Sequence, residues 1–403
     1  MWQYELYIPK NPSIEPYIQG IRPLCCKNLS FPFVIRQVCT IFAPQNYGAM
    51  ADNYLEKQYE QYQARKAAWE KAKKKRPQVK VEPKEKAPYR EVEAIDTFIG
   101  LAQEKQLTSQ RRQQLYTPET LYEGYRLGEP ESYAESYDSG VYQHYLKKGK
   151  SCKDVRETLA RTLHDHAITH AMYDMLASYD ERRIVGIMGG HGLLRTDEAY
   201  RQIVRISKRL TEMDFLLISG GGPGAMEATH LGAWMAGRTK EELDEALKML
   251  EKAPSFNDRE WLDTAFEVRQ RFPQSHYVSL GVPTWLYGHE PATPFATHIA
   301  KYFENALRED GLLTIAKGGL IYSPGSAGTL QEIFQEAVQN HYLSFGYASP
   351  MIFLGVDYWT DEMPIYPLLE HLMKKGIYKN LLLTLTDDEH RIVDTLERFA
   401  AEE

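Results

Sequence analysis

The chain is poor in cysteine, with four in 403 residues: Cys25, Cys26, Cys39 and Cys152. No two form a Cys-x-x-Cys pair and neighbouring cysteines rarely bridge, so inert thiols in a reducing compartment are expected and a zinc ribbon is not. At this length a hydrophobic core suffices without disulfide or metal staples. Long apolar runs are missing too: no stretch of about 18 apolar residues occurs. The opening Met1-Trp2-Gln3-Tyr4-Glu5 has neither the basic region nor the apolar stretch of a signal peptide. The expectation is a cytoplasmic protein with no membrane partner. Two nucleotide signatures are also absent. There is no Gly-x-x-x-x-Gly-Lys-Ser/Thr loop, and both near-matches to Gly-x-Gly-x-x-Gly fail at the last position, where Ala225 follows Gly220-x-Gly222 and Arg195 follows Gly190-x-Gly192. ATP hydrolysis and hydride transfer both lose ground.

Basic residues are outnumbered overall, 48 against 55 acidic, for a net charge of -7. They are concentrated between Arg65 and Lys86, where ten basic residues face three acidic ones, a local +7 that leaves -14 elsewhere. Pro77, Pro83 and Pro88 break up this segment, so residues 64–88 read as a solvated arm. An arm that binds RNA or polyphosphate is the other reading. The acidic remainder argues against nucleic acid as the main partner.

Residues 1–150 read as an irregular, Tyr-rich N-terminal extension with strand-like pieces at Tyr4 to Ile8 and Phe33 to Phe42. From Asp154 to Tyr179, Val155, Leu159, Leu163, Ile168, Met172 and Leu176 follow helical spacing. Short apolar runs then alternate with helical stretches: Ile184 to Met188, Phe215 to Ile218, Tyr277 to Leu280, Leu320 to Tyr322, Met351 to Val356 and Leu381 to Leu385. Runs buried on both faces and separated by helices predict an α/β fold, a doubly wound parallel sheet over residues 151–403. The long second crossover predicts helices over Thr239 to Lys252 and Asn257 to Phe272, with Asn257 or Asp258 capping the latter.

Ligands of such sheets bind beyond the carboxyl ends of the strands. Two glycine turns lie there. Ser219-Gly220-Gly221-Gly222-Pro223-Gly224-Ala225-Met226-Glu227 follows the second run, and Ser323-Pro324-Gly325-Ser326-Ala327-Gly328-Thr329-Leu330-Gln331-Glu332 follows the fourth. Strand, glycines, helix is the order that presents free backbone N–H groups and a helix dipole to an anion, although such turns also serve close packing. In the second turn Ser326 and Thr329 add hydroxyls, and Glu332 lies one turn into the helix. Gly189 and Gly190 follow the first run, where backbone contact with a nucleotide is expected. Trp285 or Tyr287 could stack on a base with Glu290 on ribose hydroxyls, or serve packing alone. His166 and His170 are four apart, but lack the glutamate of His-Glu-x-x-His, so an amphipathic helix is the reading there.

The pair Gly-Gly-Gly-Pro-Gly-Ala-Met-Glu-Ala at 220–228 and Pro-Gly-Ser-Ala-Gly-Thr-Leu-Gln-Glu at 324–332 resembles the LOG (Lonely Guy) family, Rossmann-like proteins often mislabelled lysine decarboxylases. The resemblance covers roughly residues 180–390. It implies hydrolysis of nucleoside 5'-monophosphates to free base and ribose 5-phosphate, by a homodimer or higher homo-oligomer, with no cofactor and no metal. Glu332 matches the family's catalytic glutamate. Arg308 is the arginine in reach of the family's arginine position, although its neighbour is Glu309 where the family has lysine, and Ser326 stands where the family has glycine. The expected substrate-binding set is Gly189, Gly190, Gly220, Gly221, Gly222, Gly224, Met226, Gly325, Ser326, Ala327, Gly328 and Thr329. The long chain looks more like the longer bacterial nucleotide nucleosidases. A nucleotide-binding sensor or carrier that uses the same turns without chemistry is the alternative. A decarboxylase is rejected, because Lys317 precedes a strand with no pyridoxal phosphate signature.

Overall fold

Residues 114–402 are described by a computed structural model of the chain. The strand-like pieces at 4–8 and 33–42 and the basic arm at 64–88 lie outside these residues. Seven parallel strands form one sheet: β1 Ile184–Met188, β2 Leu216–Ser219, β3 Ser279–Gly281, β4 His298–Ile299, β5 Gly319–Tyr322, β6 Pro350–Phe353 and β7 Leu382–Leu385, in the order β4-β3-β2-β1-β5-β6-β7. The chain works outward from β1 to one edge, then returns to β1 and works outward to the other. The reversal falls between β1 and β5, where a doubly wound sheet opens a crevice at the carboxyl ends of its strands.

Six runs read from the sequence are strands here, and the reason they were continuous apolar runs is visible in β1. Ile184 and Met188 enter one buried cluster, while Val185 and Ile187 enter another on the opposite face. The seventh strand, β4, has only two residues and so has no periodicity to read.

The helices are α1 Pro118–Leu121, α2 Tyr137–Lys148, α3 Val155–Leu176, α4 Glu198–Glu212, α5 Ala225–Trp234, α6 Lys240–Leu250, α7 Trp261–Arg271, α8 Asn305–Ile315, α9 Ala327–Tyr342, α10 Ile365–Lys374 and α11 Glu389–Ala401. Ile203, Val204 and Leu210 of α4, Leu231 of α5 and Leu396 of α11 cover one face; Ile168 and Met172 of α3, Leu312 of α8 and Ile333 of α9 cover the other. The cap expected for α7 is not used. Asp258 accepts from the Ser255 N–H at 2.7 Å, which closes a turn ahead of the helix, so α7 starts at Trp261 with no side-chain cap. No helix among the described residues is long and apolar enough to cross a membrane.

Residues 114–148, read as part of the irregular extension, contribute to this core. Tyr116 forms an antiparallel bridge to Ile299, the Tyr122 hydroxyl donates to the Ala292 carbonyl, and Asp138 accepts from Lys301 Nζ at 2.7 Å and from the Trp285 indole at 2.9 Å. All three of Asp138, Lys301 and Trp285 are essentially inaccessible to solvent. Burying such a pair away from water is unfavourable unless the two groups engage each other and nearby donors, as they do here.

Candidate functional site

Three loops meet at the sheet's switch point. The loop after β1 is held between the two glycine turns: Gly190 N–H donates to the Pro324 carbonyl at 3.0 Å, and Ala225 N–H donates to the Gly190 carbonyl at 3.1 Å. Gly224 adopts φ +68°, and a Cβ there would collide with the Gly190 carbonyl. Glycine is therefore needed at 224 for conformation and for space. Beneath the first turn, the imidazole of His230 on α5 is wholly buried between the hydroxyls of Ser219, at 2.8 Å, and Ser279, at 2.9 Å. Burial pushes its pKa down to about 3, so it is neutral and offers one donor and one acceptor to the two serines. The Ser219 hydroxyl in turn accepts from the Gly221 N–H at 3.1 Å. His230 drew no attention in the sequence, because a histidine inside an otherwise apolar helix reads as core.

The second turn is more open. Gly325 is buried, with its carbonyl accepting from the Tyr358 hydroxyl at 2.5 Å, whereas Ser326, Ala327 and Gly328 are exposed. Ser326 makes no side-chain cap to α9. The N–H groups of Ala327, Gly328 and Thr329 head the helix, where no intrahelical acceptor is available, and the helix dipole favours an anion in front of them. The first turn differs. Its glycines are buried, Gly221 faces Pro283 and Gly281, and Gly222 N–H points at Met226 Sδ, 3.4 Å away. Gly220 to Gly224 are thus packed in, whereas Ser326 to Gly328 are open to solvent and Thr329 is buried.

Arg308 and Glu332 arrive from α8 and α9. α8 begins at Asn305, beyond Lys301, which is fixed in the core by Asp138. Arg308 therefore lies in the first turn of α8. Its Nε donates to the Val282 carbonyl at 2.9 Å, and its guanidinium lies against Gly220. Glu309 approaches Arg308 at 3.5 Å and accepts from Gln331 of α9 at 2.8 Å, which ties the two helices together. Burial pushes the Glu332 carboxyl up to about 7; the positive charge of Arg308 works against that shift and the negative charge of Glu309 adds to it. Arg308, Glu309 and Glu332 form one electrostatic group at the crevice.

Of the other residues weighed, Glu290 lies beside Gly222 and is 3.7 Å from both His191 Nδ1 and His289 Nε2. Trp285 does not face the crevice. It is buried, stacked on Phe303 with centroids 4.5 Å apart, while Tyr287 is exposed. His166 and His170 contact each other edge to face on α3. Lys317 pairs with Glu181 at 2.6 Å.

These features define a doubly wound α/β protein with an uncapped, exposed helix N-terminus and a carboxyl of raised pKa at its switch point. No family model matches the chain, and no curated protein does. Among solved structures it is similar to the molybdenum cofactor binding protein of Rippkaea orientalis (13% identity, 53% of this chain and 95% of that one, TM-score 0.33). It is similar also to TM1055 (16%, 53% and 98%, 0.35) and to the molybdenum cofactor carrier protein of Chlamydomonas reinhardtii (16%, 54% and 98%, 0.34). At these values the likeness is one of fold alone.

Proposed function

We propose that the crevice hydrolyses the N-glycosidic bond of nucleoside 5'-monophosphates, giving free base and ribose 5-phosphate. The observation that carries this reading is Glu332, a carboxyl of raised pKa one turn below the exposed N–H groups of α9 and within the field of Arg308. The phosphate is held by the N–H groups of Ala327, Gly328 and Thr329 and the Ser326 hydroxyl. Arg308 balances its charge. Water adds to the anomeric carbon as the bond to the base breaks, and the base leaves with a proton. Positive charge grows on the ribose ring in that step, so ionised Glu332 stabilises the transition state more than the ground state and can orient the water. The motif resemblance at 220–228 and 324–332 points the same way. The expected homodimer has exposed apolar side chains to draw on, among them Leu307 of α8 and Tyr342 at the end of α9.

The raised pKa also favours a second reading. A partly protonated Glu332 can hydrogen-bond ribose hydroxyls without chemistry, as a sensor or carrier would. Incubation with a panel of nucleoside monophosphates, with free base followed by chromatography, separates the two. Hydrolysis that falls about 10²- to 10⁴-fold in Glu332→Gln while monophosphate binding survives supports the enzyme. Binding without base release in the wild type supports the carrier.

A further inference from the structure

The second glycine turn is gripped from two sides. On one, the Gly190 N–H donates to the Pro324 carbonyl at 3.0 Å; on the other, the Tyr358 hydroxyl donates to the Gly325 carbonyl at 2.5 Å. Tyr358 opens a π turn, Tyr358–Glu362, in the loop after β6. Such turns interrupt regular helix and are frequent at functional sites. The loop is itself anchored. Asp387 accepts from the N–H groups of Gly355 and Val356 at 2.8 and 3.0 Å, and the buried Trp359 indole donates to the Tyr322 and Leu354 carbonyls at 3.1 and 3.0 Å. Gly355, at φ +106°, lies against the Pro324 ring, where a Cβ would be 3.3 Å from Pro324 Cγ. Tyr358 thus reaches Gly325 from a fixed base.

Position 325 has no room for a side chain, because a Cβ there would lie 2.1 Å from the Thr329 hydroxyl oxygen. Glycine has the widest backbone freedom, so the peptide between 325 and 326 could rotate if its carbonyl had no partner. The Tyr358 hydroxyl removes that freedom. The described peptide bonds are all trans, and in a trans peptide the C=O and N–H point in opposite directions. With the Gly325 carbonyl turned to Tyr358, the Ser326 N–H is turned away from it. That N–H has no hydrogen-bond partner among the described residues, and Ser326 is exposed.

We propose that Tyr358 is a positioning residue for the phosphate: by fixing the 325–326 peptide it sets the Ser326 N–H beside those of Ala327, Gly328 and Thr329, as a fourth backbone donor. The inference rests on the phosphate site proposed at this turn. Successive N–H groups facing one way make a concavity that suits an anion, and fixing their planes in advance spares the ligand the cost of ordering them.

Amide NMR of the isotopically labelled full chain, titrated with ribose 5-phosphate, tests this without reference to hydrolysis. The amide signals of Ser326, Ala327, Gly328 and Thr329 should all shift, and the Ser326 shift should be lost in Tyr358→Phe. Affinity for ribose 5-phosphate should fall about tenfold in that variant, roughly the worth of one bond to a charged group, with less change for adenosine. Thr360→Val deletes a hydrogen bond of the same turn, to the Val356 carbonyl at 2.9 Å, without touching Gly325, and should leave both shift and affinity as in the wild type. Shifts at 327–329 with a silent Ser326 in the wild type would overturn the proposal and leave the phosphate site standing, and that measurement holds even if Tyr358→Phe does not fold. No shift at any of these amides would overturn both. A Ser326 shift that survives Tyr358→Phe, or equal weakening in Tyr358→Phe and Thr360→Val, would overturn the positioning role.

Discussion

The guanidinium of Arg308 lies where a side chain at position 220 would begin: a Cβ on Gly220 would be 2.5 Å from Arg308 Nη2 and 2.7 Å from Met226 Sδ. Arg308 cannot swing aside without losing the Val282 carbonyl. Gly220→Ala should therefore displace the arginine and lower kcat/KM by about 10- to 100-fold, with little change in thermal midpoint. Gly222→Ala is the control, since its Cβ would press mainly on the flexible end of Met226, at 2.9 Å. Equal rates for wild type and Gly220→Ala would remove Arg308 from the proposed mechanism.

Activity and stability should respond to pH in opposite directions. The Glu332 carboxyl, pushed up to about 7, must ionise to stabilise a cationic transition state, so the rate should rise with pH through about 7 and then level off. Arg308→Met should move that midpoint up and Glu309→Gln should move it down. One turn along α9, Glu336 is also raised to about 7, by burial, despite accepting from the Ser349 hydroxyl at 2.5 Å. An acid whose pKa is raised by folding stabilises fully below its unfolded value of 4.5 and loses that contribution as pH rises through 7. For Glu336, which is 2% exposed, the loss is roughly 3 kcal/mol. Denaturant unfolding between pH 4.5 and 8 should show stability falling, and Glu336→Gln should flatten that fall. A stability that rises over this range would contradict the assignment.

Position 328 and position 325 belong to the same turn, and substitutions there should fail in different ways. A Cβ on Gly328 meets nothing within 4 Å, so Gly328→Val adds its branches to open space in the first turn of α9, beside the proposed phosphate site. Affinity for nucleoside monophosphate should weaken, with less change for the free nucleoside and a normal unfolding transition. A Cβ on Gly325 would collide with the Thr329 hydroxyl, so Gly325→Ala should lower the thermal midpoint instead. If calorimetry shows nucleoside and monophosphate equally affected by Gly328→Val, this turn does not hold the phosphate.

How far the sequence revealed the site depends on how local each cause is. The strands β1, β2, β5 and β6 were legible because burial on both faces leaves an uninterrupted apolar run. The turn at 324–329 was legible because glycines, hydroxyls and a carboxyl one turn on are all local. Position-specific roles in the first turn were not: Gly220 serves a guanidinium 88 residues downstream, and nothing near it in sequence says so. The capture of Lys301 by Asp138, 163 residues away in the chain, has no local signal either. Trp285 was weighed as a stacking residue, and the same aspartate explains why it faces inward.

The pair that joins the loop after β1 to the first turn offers the strongest stability test. Arg195 and Glu227 are about 1% and 0% exposed and form a two-pronged ion pair at 2.9 and 2.6 Å. Arg195 also donates to the Ala253 and Trp261 carbonyls and the Thr264 hydroxyl, while Glu227 accepts from Tyr200 at 3.0 Å. Removing one partner leaves the other charged and buried, which costs about 3–5 kcal/mol. Glu227→Leu and Arg195→Met should each lower unfolding free energy by about that amount. They should also weaken monophosphate binding, because Gly190 and Ala225, a few residues before Arg195 and Glu227 respectively, hold the two loops in register. The double variant Arg195→Met with Glu227→Leu leaves no unpaired charge and should recover most of the loss, so the effects should be strongly non-additive in a double-mutant cycle. Additive losses in urea unfolding would mean that the carbonyls and hydroxyls around each residue satisfy it alone, and that the ion pair does not hold the loops together.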